Sequence, residues 1–300
     1  MSAPARPARP PLAAVVLVTG KGGVGKTTVA AGLAMAAAAR DGASVLVEFG
    51  DGESGRRALG GRRHGVEHVV IKPDEAVVRC AAPLFGSSIV AKVVLGNFAV
   101  RRLVRAAPGV RELTMLEAVR LVSQERPPGR RVVVDMPATG HGVAWLRVPA
   151  QMRDMLATGP LHELSARLAR DLIAPGRCSV VIVTLPERLV LQETLELANA
   201  MRNDVGLPPS RLIVNRVPVE LPDAAREQAQ ALVARAGPLA DAARALVDAI
   251  EARALARGEA LDVLGEAVRS AGLSPVLLPD APHDPSASDV AGWLREENAE

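Results

Sequence analysis

The side chains of this 300-residue chain best placed to do chemistry gather in one stretch, Gly20-Lys21-Gly22-Gly23-Val24-Gly25-Lys26-Thr27-Thr28. Four of its first six residues are glycine. Without a Cβ, glycine lets consecutive main-chain N–H groups curl around an anion. Gly20, Gly25, Lys26 and Thr27 complete the pattern G-x-x-x-x-G-K-[ST], whose loop cradles the phosphates of a nucleotide. In that arrangement Lys26 reaches the β- and γ-phosphates and the Thr27 hydroxyl holds Mg²⁺. The implied ligands are ATP and Mg²⁺, bound by Gly20–Thr28. Lysine occurs only at positions 21, 26, 72 and 92, so 32 of the 36 basic residues are Arg. A chain that otherwise uses Arg keeps two compact ammonium groups here, as a phosphate site requires.

The elements around this loop are those it needs. The apolar, β-branched run Ala13–Thr19 predicts a buried parallel strand before the glycines. Ala-rich Thr27–Arg40 predicts a helix after them, whose N-terminal dipole end would face the phosphates. A second strand, Ser44–Phe49, delivers Asp51 just beyond its carboxyl end, the edge where ligands of parallel sheets bind. Asp51 could position or activate an attacking water, with Glu48 and Glu53 as competitors for that work. Strand Arg131–Met136 carries Asp135 at its end, placed to orient a Mg²⁺-bound water.

Further along, Val66–Ile71, Cys178–Thr184, Arg211–Val217 and Pro275–Leu278 read as strands, and Gly50–Gly65 as a Gly/Arg-rich loop. Helix is expected over Pro149–Ile173 with a break at Gly159-Pro160, over Glu187–Val205, and over Asp223–Ser270 with a break at Gly237-Pro238. Strands alternating with helices predict an α/β P-loop NTPase fold, a mostly parallel sheet with helices on both faces. Residues 1–12, rich in Pro, Ala and Arg, read as a disordered N-terminal tail. Residues 13–300 read as a single ATPase domain with a helical insertion at about 76–124, broken near Pro83–Gly86 and at Pro108-Gly109.

Composition narrows the class of partner. The chain is 49% hydrophobic and 23% charged, ordinary for a globular protein. Charged residues interrupt every apolar window, so no stable membrane insertion is expected. The first residues lack the apolar core of a secretion signal, which points to the cytoplasm. The formal charge of +3 is spread along the chain, aromatic residues are 2% and Tyr is absent. Platforms for stacking bases are therefore missing, and nucleic acid is not an expected partner. Cys80 and Cys178 form no C-x-x-C pair and the five histidines have no metal-ligand spacing, which argues against a disulfide scaffold or a multi-thiolate metal site.

Lys21 adds a second signal. The string KGGVGKTT is similar to that of the deviant Walker A ATPases, in which the extra lysine reaches across a dimer interface to the partner's nucleotide. With further segments the chain resembles the ArsA-type ATPases, which include arsenite-pump ATPases and those that target tail-anchored membrane proteins. The segments are GKGGVGKTTVAAGLA, VVVDMPATGHGVAWLRVP (Val132–Pro149), VIVTLPERLVLQETLELANAMR and LIVNRV, with PGVRE at Pro108–Glu112 also similar. The resemblance implies that Asp51 is the switch I aspartate and, with Lys21 and Lys26, catalytic. It implies that Asp135 is the switch II aspartate, followed by Pro137, Thr139, Gly140 and His141 as the loop that relays nucleotide state. Asn215 falls on the position that reads the adenine base. The implied mechanism is a dimer that closes around two ATP molecules and opens after hydrolysis. One P-loop per chain fits a homodimer, or a heterodimer with a related ATPase, acting on a protein client that the sequence does not identify.

The departures are as informative. Switch I reads Glu48-Phe49-Gly50-Asp51-Gly52-Glu53-Ser54, without the Asp-Pro-Ala-His of the best-known members. No C-x-x-C exists to hold zinc at a dimer seam, which weakens a tail-anchored-protein role. No three-cysteine cluster exists for soft, thiolate-bound arsenic. Three other readings share the loop. One is a positioning ATPase of the MinD and ParA kind, although the acidic end SDVAGWLREENAE does not suit an anionic surface. Another is an iron–sulfur reductase, which needs a cysteine that Met136–Gly142 lacks. The last is a catalytically weak, ATP-binding regulatory subunit, which the altered switch I favours.

Overall fold

Strand β1 (Val15–Thr19) is buried at every residue. A strand that is apolar on both faces must lie inside a sheet covered on both sides. In the computed structural model, which describes residues 10–61, 65–81, 109–127, 129–137, 142–219, 223–234, 240–271, 275–281 and 284–296, it is the central strand of seven. The others are β2 (Ser44–Phe49), β3 (Val66–Ile71), β4 (Arg131–Asp135), β5 (Cys178–Thr184), β6 (Arg211–Val217) and β7 (Pro275–Pro279). Their order is β3-β2-β4-β1-β5-β6-β7, and every neighbouring pair is parallel. This is the expected α/β P-loop fold.

The helices among the described residues are α1 (Lys26–Asp41), α2 (Glu53–Ala58), α3 (Pro73–Ala81), α4 (Val110–Gln124), α5 (Gly142–Met155), α6 (Pro160–Asp171), α7 (Arg188–Ala200), α8 (Asp223–Ala234), α9 (Ala240–Ala271) and α10 (Ala287–Glu296). Side-chain alternation along the strands splits the interior in two. Val15, Leu17, Val132 and Val134 face a core completed by α4 to α7. Val16, Val18, Val133 and Val181 face a second core with α1 and α10. Alanines 30, 31, 34, 36, 37 and 38 of α1 are buried; their small side chains let that helix lie close to the sheet and set its N-terminus beside β1.

Four sequence expectations change. The loop Gly50–Gly65 contains a short helix, α2, started by Gly52 in the left-handed region (φ 80°). The helix expected from Pro149 begins earlier, at Gly142, and Pro149 lies inside it. A proline usually marks a first turn, but here packing holds it in mid-helix, where it leaves one i→i−4 bond unmade. The helix α7 ends in a π-helical turn, Met201–Val205. Pro10–Leu12, expected within the tail, lies against the sheet: Leu12 is buried, its carbonyl accepts from Arg131, and the Pro10 carbonyl accepts from Arg211. Of the insertion expected at about 76–124, α3 and α4 are described, while 82–108 lie outside the described residues.

Candidate nucleotide site

The glycine-rich loop leaves the carboxyl end of β1 at the centre of the sheet, where a doubly wound fold opens a crevice. Its glycines have specific steric jobs. A Cβ on Gly20 would stand 2.2 Å from the Val183 carbonyl oxygen, and one on Gly25 would stand 2.5 Å from Asn215 Nδ2. Gly23 has φ +84°, a conformation that disfavours side chains, and open space where its Cβ would be. The first two keep the loop close to β5 and β6, and the third leaves room in the cradle. Lys26, Thr27 and Thr28 open helix α1 directly behind.

Lys26 is buried, and its Nζ donates to the Lys21 carbonyl at 2.8 Å. Burial pulls its pKa below the ordinary lysine value, offset in part by the charge of Asp135. Thr27 Oγ1 donates to Asp135 Oδ2 at 2.6 Å. Burial pushes the Asp135 carboxyl up to about 6, against the opposing pull of the Thr27 hydroxyl and Lys26, while Glu48 raises it further. Asp135 Oδ1 is buried without a hydrogen-bond partner among the described residues. A carboxylate with one orphaned oxygen beside a threonine hydroxyl is a hard, all-oxygen donor set, and it fits Mg²⁺. These groups line a cavity of about 410 Å³ together with Gly23, Gly25, Thr28, Glu48, Ser54, Met136 and Pro137.

Asn215 is buried at the end of β6. Its Nδ2 donates to the Val24 carbonyl at 2.9 Å, and its Oδ1 accepts from the Arg216 main-chain N–H. The carboxamide thus ties β6 to the phosphate loop. One amide hydrogen and one lone pair remain for a base. Arg216 is the one non-glycine residue with positive φ (57°) among the described residues, at a register irregularity between Val214 and Val217.

The structure does not bring Lys21 and Asp51 to this cavity. Lys21 Nζ pairs with Glu193 of α7, at 2.9 Å to Oε1 and 2.7 Å to Oε2. Gly20, Lys21 and Gly22 instead line a second hollow, of about 620 Å³, with Gly142, Arg147 and Glu193. Asp51 is exposed, and its Oδ1 accepts from the N–H of Glu53, the first residue of α2, at 3.0 Å. Thr139, Gly140 and His141 lie outside the described residues. The reading of the sequence missed Glu193, Ser54 and His68. No motif marks Glu193, and His68 is one polar residue in the strand VEHVVI.

Among the described residues no helix is long and apolar enough to cross a membrane, and no cluster of His, Cys, Asp or Glu could by itself hold a metal ion.

Comparison with known proteins agrees with this geometry. Residues 15–252 match the CobQ/CobB/MinD/ParA nucleotide binding domain. ATPase BagA of Mycobacterium tuberculosis (strain H37Rv) is 30% identical over 247 residues, covering 74% of this chain and 72% of BagA. The candidate ATPase Mb3704 of Mycobacterium bovis matches with the same identity and coverage. With its glycine loop, Lys26, Thr27 and Asp135 assembled at the carboxyl edge of a parallel sheet, this chain belongs to the CobQ/CobB/MinD/ParA family and is a nucleotide-binding P-loop ATPase of that superfamily.

Proposed function

We propose that the chain is an ATP-binding and ATP-hydrolysing switch of the ArsA-like kind, dependent on Mg²⁺, that acts as a dimer on a protein client in the cytoplasm. The observation that carries this reading is the division between the two lysines. Lys26 is buried at its own phosphate cavity. Lys21 stands outside that cavity, half exposed and held, among the described residues, by a surface ion pair with Glu193. An exposed pair of this kind is worth ~1 kcal/mol or less, so Lys21 is available to a nucleotide in a partner copy.

In this reading the amides of Gly20–Thr28 bind the phosphates, and Lys26 balances charge that builds on the β,γ-bridge. Thr27 and Asp135 would hold Mg²⁺, which would neutralise the phosphates when bound. Pro137 and the following Thr139, Gly140 and His141 would carry the state of the site to α5, and Asn215 would sense the base. The client remains a protein of unstated identity, and the partner subunit is either a second copy or a related ATPase.

The test is steady-state Mg-ATP hydrolysis against protein concentration for wild type, Lys21→Ala and Lys26→Ala. Specific activity that rises with concentration and is lost in both variants supports the composite dimer. Activity independent of concentration and untouched by Lys21→Ala sinks it. The position of Asp51 supports a second reading, a catalytically weak, ATP-binding regulatory subunit. That reading predicts bound ATP with hydrolysis at background at every concentration.

A further inference from the structure

With Asp51 turned to the outside, a carboxylate for the attacking water has to come from elsewhere in switch I. Glu48 is the residue on the page that meets the requirement. It sits at the carboxyl end of β2, in register with Asp135 of β4. Register partners in adjacent parallel strands are about 5 Å apart and point to the same face. That face is the α1 side, where the phosphate loop lies, because Leu46 two residues earlier faces the α1 core. Glu48 is buried, yet it lines the phosphate cavity with Lys26, Thr27 and Asp135.

The way Glu48 is held separates it from a merely structural acid. Gly55 N–H donates to its Oε2 at 2.8 Å, and His68 Nε2 lies 3.0 Å from the same oxygen. Gly55 is in the first turn of α2, so the donating amide is one that the helix itself leaves unpaired. Both bonds converge on Oε2, and among the described residues Oε1 accepts no hydrogen bond. The supports are specific to this arrangement. A Cβ on Gly55 would stand 2.5 Å from Glu48 Oε2 and 2.7 Å from His68 Nε2. His68 reaches across from the neighbouring strand β3, whose Val70 is the register partner of Glu48. One oxygen is fixed by a main-chain donor and a ring, and the residue lines the cavity beside the phosphate loop.

We infer that Glu48 is the catalytic carboxylate of this site, orienting the attacking water through Oε1, and that His68 is the residue that positions it. The inference rests on the hydrolysis proposed above. In the step, the water oxygen forms a bond to the γ-phosphorus while Glu48 accepts a water proton. The bond from the γ-phosphorus to the β,γ-bridging oxygen breaks, and its electron pair stays on ADP. Inorganic phosphate leaves, and Glu48 returns the proton to solvent. No oxidant or further reactant is needed.

The experiment measures Mg-ATP affinity with a fluorescent ATP analogue alongside single-turnover hydrolysis, for wild type, Glu48→Gln, Glu48→Asp, His68→Ala, His68→Gln and Asp51→Asn. Glu48→Gln is expected to lower the hydrolysis rate on the order of 100-fold or more, the size typical of removing a general base, with affinity changed less than about threefold. Glu48→Asp, one methylene shorter, tests the same point if the amide is poorly folded, and should lose rate but keep binding. His68→Ala should lower the rate without weakening binding. His68→Gln, which keeps a donor near the Nε2 position, should recover part of it; a purely structural histidine would shift binding and rate together. Asp51→Asn should cost less than tenfold. Glu48→Gln hydrolysing within threefold of an active wild type overturns the assignment and leaves the ATPase reading standing, as does a larger loss in Asp51→Asn than in Glu48→Gln. Parallel loss of binding and rate in both Glu48 variants makes Glu48 a structural or metal-site residue and also overturns it. A wild type that binds the analogue and never hydrolyses ATP overturns the ATPase reading, and this inference with it.

Discussion

Asp135 costs the fold stability once its carboxyl ionises, and the size of the effect follows from its surroundings. Burial raises its pKa from 3.8 to about 6, two orders of magnitude in acidity, or ~3 kcal/mol. The sign is fixed by linkage. The folded pKa lies above the unfolded one, so the folded chain binds this proton more tightly. The stability supplied by the neutral carboxyl is fully present below about pH 4 and is lost as pH rises through about 6. Asp135→Asn has no charge to acquire, and its amide oxygen can still accept from Thr27. The variant without nucleotide should therefore match wild type near pH 4 and become the more stable protein above pH 6. The pull of Lys26 is already contained in that value of about 6, so nothing further is deducted for it. The expected net gain at pH 8 is therefore ~3 kcal/mol, several degrees in Tm for a chain of this size. Thermal melts from pH 4.5 to 8 in EDTA would measure it. Adding Mg-ATP should reverse the order, because only wild type keeps both donors and gains the full stabilisation of binding. A variant less stable than wild type at pH 8 without nucleotide, or a difference independent of pH, would refute the argument.

Two further outcomes follow from contacts around the loop. Glu193→Gln removes the charge that holds Lys21; because an exposed pair is worth ~1 kcal/mol at most, the protein concentration giving half-maximal ATPase activity should fall by about fivefold or less. A rise in that concentration would mean that Glu193 helps the dimer rather than restraining Lys21. Gly32→Ala places a Cβ 2.5 Å from Val290 Cγ1 and 2.8 Å from Val290 Cβ, so α10 must move. Urea titration should show a loss of ~1–2 kcal/mol after the helix-propensity gain of alanine is deducted. The paired change Gly32→Ala with Val290→Ala should lose less than the two single changes combined.

The inner strands β1, β4 and β5 were legible because each is a run of β-branched residues, buried at every position, with glycine, proline or a charge close to its end. Such runs cannot hide in a sequence this poor in aromatics. The phosphate loop was legible because its chemistry is local: glycines, Lys26 and Thr27 need one another within nine residues. Asp135 was found for a similar reason, as the end of a strand. What failed was orientation beyond a strand end. Asp51 and Glu48 are three residues apart, and nothing in their types says which side chain returns to the cavity. The answer came from Gly52, whose positive φ starts α2 and leaves Asp51 accepting from the first amide of that helix while the Gly55 amide turns to Glu48. Glu193 was invisible because it meets Lys21 only through folding, 172 residues away.

The end of β6 shows why Asn215 is joined to the phosphate loop. Leu212 and Val214 face the core under α4 to α7. Strict alternation would send Val217 to the opposite core, yet it packs with Leu212 and Val214. The register explains the change: three steps from Val214 to Val217 answer two from Leu277 to Pro279. One extra residue is accommodated, and Arg216 takes up the turn in the left-handed region, a conformation that costs a non-glycine residue ~1–2 kcal/mol. The bulge lets Asn215 direct its amide at the Val24 carbonyl while the strand recovers its core contact one residue later. Such a bulge in a parallel pair is uncommon, and a local strain of this kind persists only where its surroundings hold it in place. Here the holding contact is the loop that would carry the phosphates, so a shift of that loop on nucleotide binding would act directly on Asn215 and on the bulge in β6.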